Sequence, residues 1–131
     1  MTPDKPMIDV FTANTPNGVK VPIALEELGV PYRIQRINLS ANEQKRPAFL
    51  AINPNGRIPA IIDPCGPGGE ALSVFESGAI LIYIADKYGE LLPGDLVGRM
   101  RAFEYLFFQV GAWVRCSARP CGSCAKASKC R

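Results

Sequence analysis

The spacing of hydrophobic residues changes repeatedly along the chain, from the alternation typical of strands to the three- or four-residue spacing of helices. It predicts strands at residues 7–13, 32–39, 60–63 and 71–74. It predicts a helix from the turn at residues 15–18 to about residue 28, a weak helix at 47–50, and longer helices at 76–88 and 98–110.

The predicted order of elements is β-α-β-α-β-β-α, followed by one further helix. Because crossover connections are right-handed, the first two strands should pair in parallel, and the short link between the last two should make them antiparallel. This order predicts an α/β domain of the thioredoxin-like type over residues 7–92. Residues 93–111 would then form a linker and the further helix.

Two of the predicted helices carry an apolar stripe along one face. In the helix at 76–88 the stripe consists of Ile80, Leu81, Ile84, Ala85 and Tyr88. In the helix at 98–110 it consists of Met100, Phe103, Leu106, Phe107 and Val110. No later predicted element covers the second stripe, so we expect it to cause self-association.

The composition is that of one globular domain, with 131 residues of which 47% are hydrophobic. No apolar run approaches the ~20 residues that a membrane helix needs. The N-terminus lacks the apolar core of a secretion signal. These features predict a cytoplasmic protein without a membrane partner.

Positive charge and cysteine are concentrated at the end of the chain. Residues 1–112 contain ten Lys and Arg and twelve Asp and Glu, whereas residues 113–131 contain five Lys and Arg and no acid. Four of the five cysteines also lie there, at Cys116, Cys121, Cys124 and Cys130.

The composition of this cysteine-rich segment is compatible with two functions. The four cysteines are the ligand set of a Cys₄ zinc site, but their spacing is irregular and includes a single C-x-x-C. A basic segment also suits nucleic acid, but Trp113 is its one aromatic residue, so stacking on bases has little support. We therefore expect residues 112–131 to form an irregular tail, with no metal and no nucleic acid bound.

Ligand sites in such folds lie where strand ends meet a helix N-terminus, and three segments are candidates. The first is the turn Thr15-Pro-Asn-Gly. A helix N-terminus favours an anion such as a thiolate, and Thr15 and Asn17 are able to donate hydrogen bonds to it. Since the turn contains no cysteine, the ligand would bring the thiol. The alternative is that both residues only cap the helix.

The second segment is Ile58-Pro59, at the start of the third predicted strand. Proline cannot donate a hydrogen bond to a strand ladder. If the bond between the two residues is cis, the backbone N–H and C=O of Ile58 face outward. They are then available to a peptide-like ligand.

The third segment is Glu76-Ser77, where the most strongly patterned helix begins. Ser77 and the adjacent N–H groups suit a carboxylate, and Glu76 suits a cationic amine. One amino-acid head group carries both charges. The alternative is that the pair only satisfies unpaired backbone N–H groups at the helix start.

The stretches "NPNGRIPAII" and "FESGAILIYIADKYG" together resemble the glutathione-site signature of glutathione transferases. The stretch "TPNGVKVPIALEELGVPY" further resembles the bacterial nu-class enzymes and the fungal nitrogen-regulator proteins. The resemblance implies glutathione as cosubstrate, a small-molecule disulfide or electrophile as second substrate, and a homodimer.

The resemblance also implies roles for the residues of the second and third segments. Ile58, beside a cis Pro59, would pair through its backbone with the cysteinyl part of glutathione. Glu76 and Ser77 would hold the γ-glutamyl head.

Four further residues gain roles in the same way. Gln44 with Lys45 would contact the glycyl end, and Thr15 and Asn17 would lie near the sulfur as the catalytic pair. Similar proteins are associated with disulfide reduction, in which a bound glutathione thiolate attacks the disulfide. This chemistry needs no side-chain base, and the chain has no histidine.

The resemblance stops at about Gly111. Glutathione transferases continue into an all-helical domain, and here only its first helix is expected. Related chains resemble "QVGGLGPMLGQA" at this point, and codons for that segment read one base out of phase can encode residues 112–119 of this chain. We therefore hypothesise a frameshift. A non-catalytic glutathione-binding regulator and an inactive fragment remain alternatives to an enzyme.

Overall fold

The computed structural model of the protein describes residues 6–113. Its strands are β1 (Ile8–Thr12), β2 (Tyr32–Arg36), β3 (Ala60–Asp63) and β4 (Leu72–Phe75). Its α-helices are α1 (Lys20–Glu27), α2 (Pro47–Leu50), α3 (Ser77–Tyr88) and α4 (Leu96–Phe108). Shorter helical turns lie at Glu43–Lys45 and Pro67–Gly69, and a π-helical turn at Gln109–Trp113 follows α4.

The strands form one mixed sheet in the order β2-β1-β3-β4. β1 and β2 are parallel, as predicted, and β3 and β4 are antiparallel, as predicted. β1 and β3 are also antiparallel. The thioredoxin-like order of elements is therefore confirmed.

At two of the element boundaries that differ from the prediction, side chains bind backbone groups. β2 ends at Arg36 because the N–H of Asn38 donates to Glu43 Oε2 (2.7 Å) and not to a strand. α4 begins two residues earlier than predicted because Asp95 caps it, with Oδ2 accepting from the N–H of Gly98 (2.7 Å).

The core lies on the face of the sheet that α1 and α3 cover. β1 alternates between buried and partly buried residues, so its successive side chains face opposite sides. On the other face, the ring of Phe11 meets that of Phe49 from α2 edge to face, with centroids 6.3 Å apart. The core consists of Ile8, Val10, Val21, Leu25, Ile61, Ile80 and Ile84.

The stripe predicted for α3 is only partly buried. Ile80, Ile84 and Ala85 are buried. Tyr88, on the same predicted face, is 37% exposed. It occupies the last position of the helix, next to Gly89, whose φ of 72° ends α3.

The chain divides between Leu91 and Leu92 into two units, and α4 belongs to the second. Within α4, Met100 is 45% and Phe107 63% exposed. None of the described helices has the length and apolar character needed to cross a bilayer. The four tail cysteines and most of the segment in the frameshift hypothesis lie outside the described residues.

Candidate functional site

The sheet brings the three predicted segments to one edge. A row of paired residues crosses β1, β3 and β4 through Phe11, Ala60 and Phe75. The turn after β1, the Ile58–Pro59 bond before β3 and the start of α3 after β4 all lie just beyond this row. The three predicted segments, which are far apart in sequence, therefore lie together at one edge of the sheet.

The turn between β1 and α1 is held by hydrogen bonds around Thr15 and Gly18. Thr15 Oγ1 accepts from the N–H of Gly18 (3.0 Å), and the Thr15 N–H donates to the carbonyl of Ala13 (2.8 Å). Thr15 thus does organise the turn, as the alternative interpretation held. Its hydroxyl hydrogen is not used in that bond and can still donate.

Only glycine fits at position 18. A Cβ there would lie 2.0 Å from the carbonyl oxygen of Ala13 and 2.6 Å from Thr12 Oγ1. Thr12 Oγ1 in turn donates to the carbonyl of Gly18 (2.7 Å). This close approach fixes the path of the backbone into α1.

Asn17 contacts a residue that the sequence analysis did not single out. The ammonium of Lys20, the first residue of α1, donates to Asn17 Oδ1 at 2.6 Å. Burial lowers the pKa of Lys20 below its usual value. Asn17 lies in the turn three residues before Lys20, and this spacing is a signal from which the contact was predictable.

The Ile58–Pro59 bond is cis, as predicted. Among the described residues, the backbone N–H and C=O of Ile58 form no hydrogen bond. The preceding turn is held by Asn53, which is 1% exposed. Its Nδ2 donates to the carbonyl of Arg57 (2.6 Å), and its Oδ1 accepts from the N–H of Asn55 (2.9 Å).

Glu76 and Ser77 do not behave as ordinary helix caps. Glu76 has φ 70° and ψ 121°, a strained backbone for a residue with a side chain, and its carboxylate makes no capping bond. Ser77 is 5% exposed, and in the described part of the chain its hydroxyl has no hydrogen-bond partner. The capping alternative therefore loses its structural basis.

Gln44 and Lys45 lie in the helical turn Glu43–Lys45, next to the turn before Ile58. Lys45 Nζ donates to the carbonyl of Asn55 (3.3 Å), and Asn55 Nδ2 donates to Glu76 Oε1 (3.3 Å). Gln44 Oε1 is buried without a donor among the described residues. Asn55, which the sequence analysis did not identify, thus connects two predicted parts of the site.

A second polar cluster lies at the opposite end of β3. The buried carboxylate of Asp63 accepts from Lys87 Nζ, from the Tyr83 hydroxyl (2.7 Å) and from the N–H of Cys65 (2.9 Å). Burial alone would raise the pKa of Asp63, but these hydrogen bonds outweigh it and lower that pKa. Burial and the bond to Asp63 raise the pKa of Tyr83.

Two other kinds of ligand site are relevant to the described residues, an apolar groove and a metal site. An open groove of about 1050 Å³ between α1 and β2 has Ile23 and Ile34 in its lining, but none of the predicted binding residues lines it. Among the described residues, no group of three or more His, Cys, Asp or Glu side chains is arranged to hold a metal ion.

The sequence matches the family model described as "Glutathione S-transferase, N-terminal domain" over residues 7–86. The chain belongs to the glutathione S-transferase family. The predicted resemblance to the bacterial nu-class and fungal nitrogen-regulator members is confirmed by the relatives described next.

The chain is 48% identical over 106 residues to the disulfide-bond oxidoreductase YfcG of Escherichia coli, covering 80% of this chain and 49% of that protein. It is 39% identical over 102 residues to the transcriptional regulator URE2 of Saccharomyces cerevisiae, covering 73% of this chain and 28% of URE2.

Among solved structures, one is a glutathione transferase family member from Pseudomonas fluorescens with two glutathione bound. It superposes with a TM-score of 0.79 at 49% identity, covering 81% of this chain and 47% of that one. The chain thus spans about half of the length of YfcG and of this protein.

Proposed function

We propose that residues 7–92 bind glutathione at the edge beyond the Phe11–Ala60–Phe75 row. The observation that carries the proposal is the convergence there of unpaired polar groups: the Ile58 backbone and the Ser77 hydroxyl. The glutathione-bound relative supports it. Residues 93–111 would supply the linker and the first helix of the second domain.

The γ-glutamyl head of glutathione fits the start of α3. Its ammonium pairs with the carboxylate of Glu76, which already faces the amide of Asn55. Its carboxylate accepts from the Ser77 hydroxyl and from the N–H groups at the N-terminus of α3. The strained backbone of Glu76 is retained because it directs the carboxylate to the ligand.

The rest of the tripeptide extends along the same edge. The cysteinyl backbone pairs with the free N–H and C=O of Ile58, as in the addition of a strand. The glycyl carboxylate is attracted by the ammonium of Lys45. The buried Gln44 Oε1 gains a donor from the glycyl N–H, which removes the cost of an unpaired buried acceptor.

The sulfur lies at the turn that opens α1. The hydroxyl of Thr15 and the amide of Asn17 donate to it, and the N-terminus of α1 favours its ionised form. A thiolate is the nucleophile in thiol–disulfide exchange, so this stabilisation increases the reactive fraction.

The proposed reaction is reduction of a small-molecule disulfide. The glutathione thiol loses its proton to solvent, and the thiolate attacks one sulfur of the substrate. The substrate S–S bond breaks as a mixed disulfide forms, and the departing thiolate takes a proton from solvent. A second glutathione thiolate breaks the mixed disulfide. Two glutathione thiols thus become glutathione disulfide, and the substrate receives two electrons.

Several finer assignments belong to the same proposal. Transferase chemistry, in which the thiolate attacks an electrophile, would use the same site. We infer a homodimer, because apolar side chains of α4 such as Phe107 are exposed. Free glutathione thiol is maintained in reducing compartments, which favours the cytoplasm.

A non-catalytic glutathione-binding module is the second candidate. The observation that favours it is the similarity to the transcriptional regulator URE2, 39% identical over 102 residues. In this case the site binds glutathione without turnover of a second substrate.

The test is a calorimetric titration of the full chain with glutathione, followed by a glutathione-dependent disulfide reductase assay. Binding with turnover supports the enzyme, and binding without turnover supports the module. Ser77→Ala should weaken binding about tenfold because a buried hydrogen bond to a carboxylate is lost. Ser73→Ala, an exposed serine on β4, is the matched control. Absence of binding by the wild-type chain refutes both candidates.

A further inference from the structure

Lys20 is placed to orient the amide of Asn17. It is the first residue of α1, and its ammonium donates to Asn17 Oδ1 at 2.6 Å. Burial lowers the pKa of Lys20, which indicates a partly desolvated ammonium.

The contact between Lys20 and Asn17 determines the orientation of the amide. An ammonium has three donors and no acceptor, so the atom of Asn17 that faces it at 2.6 Å has to be Oδ1. The NH₂ group of Asn17 then points away from Lys20 and keeps its hydrogens for another acceptor. With the opposite orientation, two donors would face each other.

We propose that Lys20 is a positioning residue for the sulfur of bound glutathione. It fixes the Asn17 amide so that its NH₂ group donates to the thiolate, and it adds positive charge beside the N-terminus of α1. The inference rests on the proposed function and assigns to Lys20 a role in thiol ionisation. The proton leaves the glutathione sulfur for solvent, and Lys20 itself neither gains nor loses one.

The test measures the pKa of the bound glutathione thiol from the ultraviolet absorbance of the thiolate as a function of pH. In the full chain, Lys20→Met should raise that pKa by about one unit, a tenfold change in ionisation at equilibrium. Lys20→Arg retains a cationic donor, so it should raise the thiol pKa by no more than half as much as Lys20→Met does. Arg33→Met removes a cation near the opposite end of β2 and should leave the thiol pKa unchanged.

Two further measurements separate positioning from structural damage. S-methylglutathione, which has no thiol, should bind Lys20→Met and wild type within about twofold. Asn17→Ala should raise the thiol pKa too, and the double variant should add little to either single change, because the two residues act as a unit.

The outcomes are distinct from those for the proposed function. An unchanged thiol pKa in Lys20→Met, additive effects in the double variant, or equal loss of S-methylglutathione binding would each overturn the inference while leaving glutathione binding intact. If Lys20→Met does not fold, Lys20→Gln replaces it under the same criteria. If the wild-type chain binds no glutathione, the proposed function and this inference both fail.

Discussion

The amide of Asn55 donates to the carboxylate of Glu76 across 3.3 Å, which connects the turn before β3 to the strained residue before α3. The carbonyl of Asn55 also accepts from Lys45 Nζ at 3.3 Å. The exposed Asn55 therefore contacts both Glu76, assigned to the γ-glutamyl head of glutathione, and Lys45, assigned to its glycyl end. A change at this residue should affect binding without removing a group that touches glutathione.

Asn55→Ala should weaken glutathione binding about three- to tenfold, since one hydrogen bond that orients Glu76 is lost. Asn55→Asp should weaken it more, because a second carboxylate repels that of Glu76. Calorimetric titration measures both changes, and denaturant unfolding checks that stability is preserved. Equal affinity of all three proteins would show that Asn55 does not orient the site.

Gly18→Ala should destabilise the fold by about 1–3 kcal/mol, because its Cβ would meet the backbone of Ala13 at 2.0 Å. The displaced turn should also lower the affinity for glutathione. Gly94→Ala, where a Cβ meets nothing within 4 Å, is the control and should stay within about 0.5 kcal/mol of wild type. Urea unfolding of the three proteins gives the comparison, and a stable Gly18→Ala protein would contradict the close approach.

Asp63→Asn should destabilise the protein by about 2–3 kcal/mol at neutral pH. The change removes a buried charge that Lys87 and Tyr83 stabilise, and the partly exposed ammonium of Lys87 limits the loss. Unfolding free energies at pH 7 measure it. Glu90→Gln neutralises an exposed carboxylate and should change little.

The same cluster predicts a pH dependence of stability. The pKa of Asp63 is lower in the folded state than the unfolded value of about 3.9, so its contribution is present above that value. It is lost as pH falls below about 4 through the folded pKa. The difference between wild type and Asp63→Asn should therefore shrink from pH 7 to pH 3. If the difference in unfolding free energy stays constant with pH, the destabilisation by Asp63→Asn does not come from the ionisation of Asp63.

The exposed stripe of α4 should cause concentration-dependent association. Leu96, Met100 and Phe107 recur on one side of the helix and are 73%, 45% and 63% exposed. Replacing Met100 and Phe107 together by Glu should reduce association in sedimentation velocity. Tyr105→Gln, at an exposed position off this stripe, should not. A wild-type chain that remains monomeric at all concentrations would contradict the prediction.

Most of the fold was predictable because local signals and chain topology agree. Alternation in β1, the apolar stripe of α3 and the proline before β3 each pointed to the observed element. The position of Pro59 before β3 favoured the observed cis bond, and the family resemblance implied it. The exposure of Tyr88 was less predictable, since an apolar spacing does not indicate that the last turn of a helix extends past the core.

The site was predictable where its residues lie in short motifs and less so where contacts join distant segments. Asn55 and Glu76 are 21 residues apart, and Asp63 and Lys87 are 24 apart, so no local spacing relates them. Lys20 and Asn17 differ, because they are three residues apart on one turn. The contact between Lys20 and Asn17 was therefore predictable from the sequence, because a side chain three residues away is able to orient the Asn17 amide.

The measurement that tests the central claim most directly is a glutathione titration of the ¹⁵N-labelled full chain followed by NMR. The account predicts shifts of the backbone amides of Asn17, Gln44, Ile58 and Ser77 that saturate together, with little change at Asp63. Shifts confined to other residues, or none at all at saturating glutathione, would contradict it.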